Sequence, residues 1–399
     1  MSSQDIVIVG AARTPQGKLM GQLSSMSAVQ LGAAAIAAAL ERSGIEPAAV
    51  DAVIVGQVLT AGAGQNPARQ SAAVAGIPLS TPAVTVNKVC LSGLTAIIQG
   101  VRLLKLGEAD VVVAGGQESM SQAPHLLTGS RAGYLYGGIT ALDSASHDGL
   151  TDAFDDELMG IATDRANAEL QLSRETQDHI AALSHQRAAA AQTEERFSAE
   201  IAPLAVPQKR TAPVLVFLDE GVRPQTTQEV LAGLQPAFTA AGTVTAGNAS
   251  PLSDGAAAVV LVTRAYADTH GLEVMAVVGP AGQIAGPDTT LPDKPAQAIA
   301  AALDRAGWTA EELDFVEINE AFASVVAHSA AALGLSLDKV NVNGGAIAIG
   351  HPIGASGARL VVSAVHELMR RGSGKSAVAL CGGGGQGDAL LLYRDGIHG

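Results

Sequence analysis

Short Val/Ile runs that alternate with longer helix-patterned stretches, twice over, are what most restrict how this chain can fold. In the first 120 residues Ile6–Val9, Val53–Val55, Ala83–Val86 and Val111–Val113 read as buried strands, and Ala28–Arg42 and Ser92–Leu106 carry helical spacing. Ser27 stands where an N-cap belongs and Gly44 lies just past the far end. Strand–helix–strand alternation implies right-handed crossovers and a mostly parallel sheet covered on both faces. The last 130 residues repeat the rhythm, with strands at Val274–Val278, Phe315–Ile318, Ala377–Leu380 and Ala389–Tyr393 and helices near Pro295–Ala306, Glu320–Leu333 and Gly354–Arg371. Few identities link the halves, so an internal duplication is read from element order alone.

The middle breaks the pattern. It holds a Gly/Tyr-rich loop (Arg131–Gly138), an acidic stretch (Asp152–Glu157), a Gln/Arg/Glu-rich helix (Gln171–Glu195) and prolines at 203, 207, 213, 224 and 236. Irregular segments of this kind on a rigid scaffold carry binding functions or form a plain surface lid. With 399 residues the chain is long enough for two to three domains. The expected division is an N-terminal half at 1–119 completed by about 246–270, an inserted loop domain at 120–245, and a C-terminal half at 271–399.

Thirty-eight acidic against 24 basic residues give a net charge of −14, and aromatics make up 3%. That balance argues against a nucleic-acid partner, whose phosphates require a basic face and whose single strands stack on aromatic rings. Two cysteines cannot form a disulfide framework, so the chain reads as intracellular. The apolar run Gly32–Leu40 is too short for a bilayer, so no membrane span is expected. MSSQDIVIVG lacks the layout of a signal or transit peptide, which makes the cytoplasm the expected location.

Four residues stand where chemistry is done. Cys90, in Asn87-Lys-Val-Cys-Leu-Ser-Gly93, follows a strand and precedes an apolar helix, so its sulfur is expected at a helix N-terminus that favours a nucleophilic thiolate; an inert buried thiol is the alternative. His351 lies in a glycine-rich turn (Gly344–Gly357) that feeds a helix, where a neutral imidazole can donate to a carbonyl oxygen or accept a proton. Asn319 follows the strand Phe315–Ile318, placed either to orient a water or substrate or to cap the next helix. Cys381 ends a strand and opens Cys-Gly-Gly-Gly-Gly-Gln-Gly387. That segment contains G-x-G-x-x-G, yet Asp388–Tyr393 directly after it is strand-like, against dinucleotide binding. Two thiols with a histidine and an amide suit carbon–carbon chemistry on thioesters, one thiol holding an acyl group while another group removes a proton α to a carbonyl. Without CxxC or a spaced His pair, no zinc site is expected.

NKVCLSG, GGQESMSQAPH, TVTAGNASPLSDGAAA, NEAFA, GGAIAIGHPIGASGAR and CGGGGQGDA, in this order along essentially the whole chain, resemble the motif set of the thiolases, specifically the bacterial acetyl-CoA acetyltransferases. The resemblance implies an α/β fold of two similar halves in a five-layered α-β-α-β-α core, a loop domain that binds coenzyme A, and a homotetramer built as a dimer of dimers. It makes Cys90 the acyl-accepting nucleophile and Cys381 the acid/base. It makes His351 the activator of the nucleophile and, with a water held by Asn319, the stabiliser of the enolate oxygen. The backbone amides of Cys90 and Gly383 would form a second oxyanion hole. Ser250 matches a pantetheine contact, Met159 falls in the pantetheine loop, Ala321 and Phe322 line the pocket, and Arg223 lies near the nucleotide end of coenzyme A. Leu158-Met159 stands where the family often has His-Met, and Gly382 and Gln386 replace commoner apolar residues, which suggests a more flexible last loop.

The expected activity is reversible Claisen condensation of two acetyl-CoA to acetoacetyl-CoA and CoA, through an acetyl-cysteine and without a cofactor. A broad-range 3-ketoacyl-CoA thiolase of fatty-acid β-oxidation is the nearest alternative. A β-ketoacyl synthase-type enzyme is less consistent with Cys381 and the NEAF segment, and a noncatalytic acyl-CoA-binding protein would have no need of the four residues.

Overall fold

The computed structural model describes residues 4–396; the outermost residues of the expected halves, 1–3 and 397–399, lie outside the described residues. Nine strands form the spine: β1 (Ile6–Arg13), β2 (Ala52–Gly56), β3 (Ala83–Val86), β4 (Val111–Ser119), β5 (Ser253–Thr263), β6 (Ala276–Ala285), β7 (Phe315–Ile318), β8 (Gly374–Gly382) and β9 (Gln386–Arg394). They run side by side in the order β7-β8-β9-β6-β1-β5-β4-β2-β3, with the two-residue strand Gly17–Lys18 paired to β5.

This order shows the duplication that the sequence only suggests. In the N-terminal half β2 runs parallel to β4, β4 antiparallel to β5, and β5 antiparallel to β1. In the C-terminal half β7 runs parallel to β8, β8 antiparallel to β9, and β9 antiparallel to β6. The two halves join where β1 meets β6 through Val7–Val277 and Ile8–Ala276. The expectation of a mostly parallel sheet is therefore corrected. Each half closes with a strand that enters antiparallel to the preceding one, which short or long connections both permit, so only β2–β3, β2–β4 and β7–β8 are parallel.

The helices that matter are α1 (Ala28–Ser43), α2 (Pro67–Val74), α3 (Ser92–Leu106), α4 (Met159–Glu169), α5 (Arg174–Thr193), α6 (Lys294–Ala306), α7 (Ala323–Ala332), α8 (Ala346–Ile349) and α9 (Ser356–Arg371). α1 starts where its sequence says. Ser27 and Gln30 cap each other reciprocally, and Gly44 at φ +70° ends the helix. Three apolar cores define the layers. α1 and α2 pack on the outer face of the N-terminal strands, α6 and α7 on the outer face of the C-terminal strands, and α3 and α9 lie between the two faces that look inward. The segment Val89–Leu106 has the length and apolarity of a membrane span, but as α3 it sits in this middle layer.

Residues 120–252 leave the sheet between β4 and β5. Arg13 fastens this excursion to β1 through a fully buried fork, with Nε to Glu200 at 2.7 Å and both terminal nitrogens to Asp219 at 2.7 and 2.9 Å. α5 of the same excursion packs on α7 and α8, and so reaches the C-terminal half.

Candidate active site

The turn between β3 and α3 presents Cys90. Val89 is held at φ +51°, a left-handed conformation that costs a β-branched residue about 1–3 kcal/mol and persists only if its surroundings enforce it. They do. Asn87 Oδ1 accepts the Val89 amide at 3.0 Å, and Ser92 Oγ accepts the Lys88 amide at 2.8 Å while donating to the Val89 carbonyl at 2.6 Å. Lys88 Nζ reaches Asp388 on β9 at 2.7 Å, and Asp388 also accepts Thr95 Oγ1 at 2.8 Å. The Cys90 turn is thus tied to the strand that follows Cys381.

The partner groups come from the other half. Asn319 leaves β7 with its amide on the Ala379 carbonyl at 2.9 Å. Its neighbour Glu320 is buried and accepts Ser184 Oγ at 2.6 Å, Asn341 Nδ2 at 2.8 Å and the Ile347 amide at 3.0 Å, which locks the segment after β7 to α5 and α8. α8 leads into His351, whose amide donates to Ser253 Oγ at 3.1 Å and whose Nδ1 lies 2.5 Å from Ser356 Oγ. Asn319 Nδ2 is 3.4 Å from His351 Nε2, and Asn319 Oδ1 is buried with no protein partner among the described residues. An orphaned buried carbonyl oxygen is a place for a water or substrate donor.

The middle helices set the distance between the halves. α3 and α9 cross through Gly93 and Gly357, one residue into each helix. A Cβ on Gly93 would stand 2.9 Å from the Ala358 nitrogen, and one on Gly357 2.5 Å from the Leu94 nitrogen. Only glycine at both points lets the turns before the two helices approach so closely.

Eight of the ten residues singled out from sequence line one apolar cavity of about 140 Å³: Cys90, His351, Cys381, Gly383, Met159, Ser250, Ala321 and Phe322. Asn319 meets it through His351. Arg223 does not line it. With Lys18 it lines an adjoining cavity of about 330 Å³ that shares Ala249, Pro251 and Leu252 with the first. Arg223 Nη2 lies 3.0 Å from His185 Nε2, and burial first, then the charge of Arg223, lowers the His185 ring to about 4. Ser250 donates its hydroxyl and its amide to the Ala321 carbonyl, at 3.1 and 3.0 Å, which fixes one wall.

Burial dominates the electrostatics. It pushes the Cys90 thiol up to about 12, although the amides of Cys90 and Gly383 both point at the sulfur and pull the other way. Cys90 does precede the helix Ser92–Leu106, as expected, and at this thiol desolvation outweighs the amides. Burial and the neighbouring Cys90 likewise raise Cys381 far above the thiol range. Burial, then the charge of Arg359, lowers His351 to about 3, so the free ring is neutral. A lone charge is costly in such a site.

Gly382 corrects a second expectation. It is buried at the end of β8, and a Cβ there would stand 2.7 Å from Leu91 Cγ, so the glycine makes room for the Cys90 turn and does not loosen the loop. Leu158, where the family often has histidine, lies at the pocket mouth, 36% exposed. Sequence reasoning missed Ser356, Glu320 and three apolar walls, Leu150, Phe238 and Leu291. Ser356 stands inside GGAIAIGHPIGASGAR and Glu320 inside NEAFA, so both were within reach; the walls carry no chemical signal and only packing reveals them.

Two pseudo-equivalent halves each feed a turn into one apolar pocket that holds two thiols and an imidazole, groups suited to acyl transfer. The chain belongs to the thiolase family: the thiolase N-terminal domain model matches residues 6–265 and the C-terminal domain model residues 272–394. It is 55% identical over 388 residues to a probable acetyl-CoA acetyltransferase of Mycolicibacterium smegmatis, covering 97% of this chain and all of that one. It is 49% identical to the acetyl-CoA acetyltransferase of Pseudomonas aeruginosa over 392 residues and 48% identical to that of Cupriavidus necator over 390, each covering 98% of this chain and 99–100% of the relative.

Proposed function

We propose that this thiolase is an acetyl-CoA C-acetyltransferase working by a ping-pong mechanism on an acetyl-cysteine. The observation that carries the reading is the convergence of Cys90, Cys381 and His351 in one cavity, with two backbone amides aimed at the Cys90 sulfur. His351 Nε2 takes the Cys90 proton and the thiolate attacks acetyl-CoA. The oxyanion sits on the Cys90 and Gly383 amides, and the departing coenzyme A thiolate takes its proton from Cys381. Cys381 thiolate then removes the α-proton of a second acetyl-CoA. The enolate oxygen rests against His351 Nε2–H and the group held by Asn319 while its carbon attacks the acetyl-Cys90 carbonyl. Collapse releases acetoacetyl-CoA, and Cys90 recovers its proton from His351. Each oxyanion donor contributes about 3–4 kcal/mol in the transition state, so the scheme calls on no cofactor.

Cavity size supports a short acyl chain over the broad-range alternative, since about 150 Å³ of apolar space holds a ligand the size of benzene. Arg223 and Lys18 supply the cations for the phosphates of coenzyme A, which the net charge of −14 would otherwise repel. The reading assigns the enzyme to fatty-acid metabolism, supported by the 3-ketoacyl thioester chemistry of its proposed substrate. The reading includes a cytoplasmic location, supported by two free thiols, with no nucleic-acid or membrane partner. It also includes a homotetramer, supported by the loop around His125–His147, where Leu135 and Tyr136 are wholly exposed.

Coenzyme-A-dependent thiolysis of acetoacetyl-CoA beside a longer 3-ketoacyl-CoA tests this. Turnover of the first alone is expected; equal turnover of both would establish the broad-range enzyme. Cys90→Ala should form no acetyl-enzyme, and undiminished turnover in that variant would remove the mechanism.

A further inference from the structure

We propose that Ser356 is a positioning residue that sets the tautomer of His351, holding the proton on Nδ1 so that Nε2 faces Cys90 as a base. The inference rests on the reading above, in which Cys90 is the nucleophile and His351 its base.

A serine hydroxyl has one proton and an oxygen that accepts. Ser356 Oγ lies 3.0 Å from the Pro352 carbonyl and 2.5 Å from His351 Nδ1. With the Ser356 proton on the Pro352 carbonyl, which also accepts the Ala355 and Ser356 amides at 2.9 and 3.0 Å, the Ser356 oxygen accepts from Nδ1–H. The other ring nitrogen gives the same answer. The donor Asn319 Nδ2 stands 3.4 Å from Nε2, which suits a lone pair and not a second N–H. Both ends of the ring therefore agree on one tautomer. Ser356 itself is fully buried and opens α9, so its oxygen is fixed by the helix and has no water to turn toward.

The assignment follows the proton inventory of the cycle. With Nδ1–H given to Ser356, Nε2 is free to take the Cys90 proton. The imidazolium that results keeps its Nδ1–H on Ser356 and offers Nε2–H to the enolate oxygen, and the cycle closes when Nε2 returns the proton to Cys90. No proton passes through Ser356. The charged or titratable groups acting on this pair are Cys90 and Cys381 at the cavity, Arg359 on α9, and Glu118, which accepts the Gly354 amide at 3.0 Å.

The test uses the purified full chain and two readouts, the rate of acetyl-Cys90 formation from acetyl-CoA and the pH profile of Cys90 alkylation by iodoacetamide. Ser356→Ala is expected to slow acetylation on the order of 10²-fold with KM within about twofold, to move the alkylation profile to higher pH, and to be restored largely by Ser356→Thr. Wild-type acetylation in Ser356→Ala overturns the assignment, as does a Ser356→Thr variant no better than the alanine. His351→Ala separates the two layers of argument: if it acetylates normally the parent mechanism fails, whereas an impaired His351→Ala beside a normal Ser356→Ala removes only the role of Ser356. Should Ser356→Ala not fold, the ring nitrogen shifts of His351 in ¹⁵N-histidine wild-type protein decide. A protonated Nδ1 in the resting enzyme supports the assignment, and a protonated Nε2 overturns it.

Discussion

Replacing Gly357 by alanine adds one methyl group at the point where α3 and α9 cross. Its Cβ would stand 2.5 Å from the Leu94 nitrogen and 2.7 Å from Leu94 Cβ, whereas ordinary contact begins at 3.4 Å. The helices must part by roughly 0.9 Å, because backbone atoms on both sides leave no rotamer to absorb the clash. Overpacking of this kind costs about 1–3 kcal/mol. The larger effect is on rate. The displacement opens directly between Cys90 and His351, and a misplacement near 1 Å costs reacting groups on the order of 10²-fold. Steady-state thiolysis of acetoacetyl-CoA, measured well below the melting temperature, should show that loss in kcat. Leu104→Ala at the far end of α3 is the control. It leaves a cavity worth about 2–5 kcal/mol but does not touch the crossing, so its kcat should remain near wild type. A Gly357→Ala enzyme with kcat within twofold of wild type, or a control that loses as much, would refute the claim that the crossing sets catalytic geometry.

Acid stability should report on His351. Its ring stays neutral in the folded state down to about 3, while the unfolded chain takes a proton near 6.5, so this contribution is present above pH 6.5 and is lost as pH falls toward 3. Urea unfolding at pH 6.5 and 4.5 should show wild type losing roughly 2 kcal/mol more than His351→Gln over that interval, and equal losses would place the ring outside a desolvated site. Phe238 packs edge to face on Phe322, with centroids 6.4 Å apart, and walls the cavity. Phe238→Ala should raise kcat/KM for longer 3-ketoacyl-CoA relative to acetoacetyl-CoA by about tenfold, and an unchanged ratio would show that chain length is read elsewhere.

The strands of both halves were legible because Val/Ile runs such as Val111–Val113 and Phe315–Ile318 have few other uses, and α1 was legible to its caps. Strand direction was not. Alternation of elements predicts parallel neighbours, but β5 returns after an excursion of more than a hundred residues, a length that dictates no sense of pairing, whereas the short turn at Gly382–Gln386 leaves β9 no choice but to run antiparallel to β8. At the site, Cys90, His351, Cys381 and Asn319 announced themselves by residue type and by position at strand ends. Their protonation did not. A helix N-terminus is visible in sequence, whereas the desolvation that holds Cys90 protonated depends on what packs over it. Ser356 escaped for a related reason: a serine opening a helix is ordinary until its neighbour proves to be the imidazole.

The two turns that meet in the cavity occupy corresponding places in the two halves, one feeding α3 and the other α9. A fused pair of equal lobes can let corresponding turns drift toward different chemistry, one toward sulfur and the other toward imidazole, because each fold stays intact while its reagent changes. Reactivity then becomes a property of assembly. During synthesis the leading lobe emerges carrying its sulfur more than two hundred residues before the histidine is made, and until the trailing lobe docks Cys90 is an ordinary thiol with no base beside it.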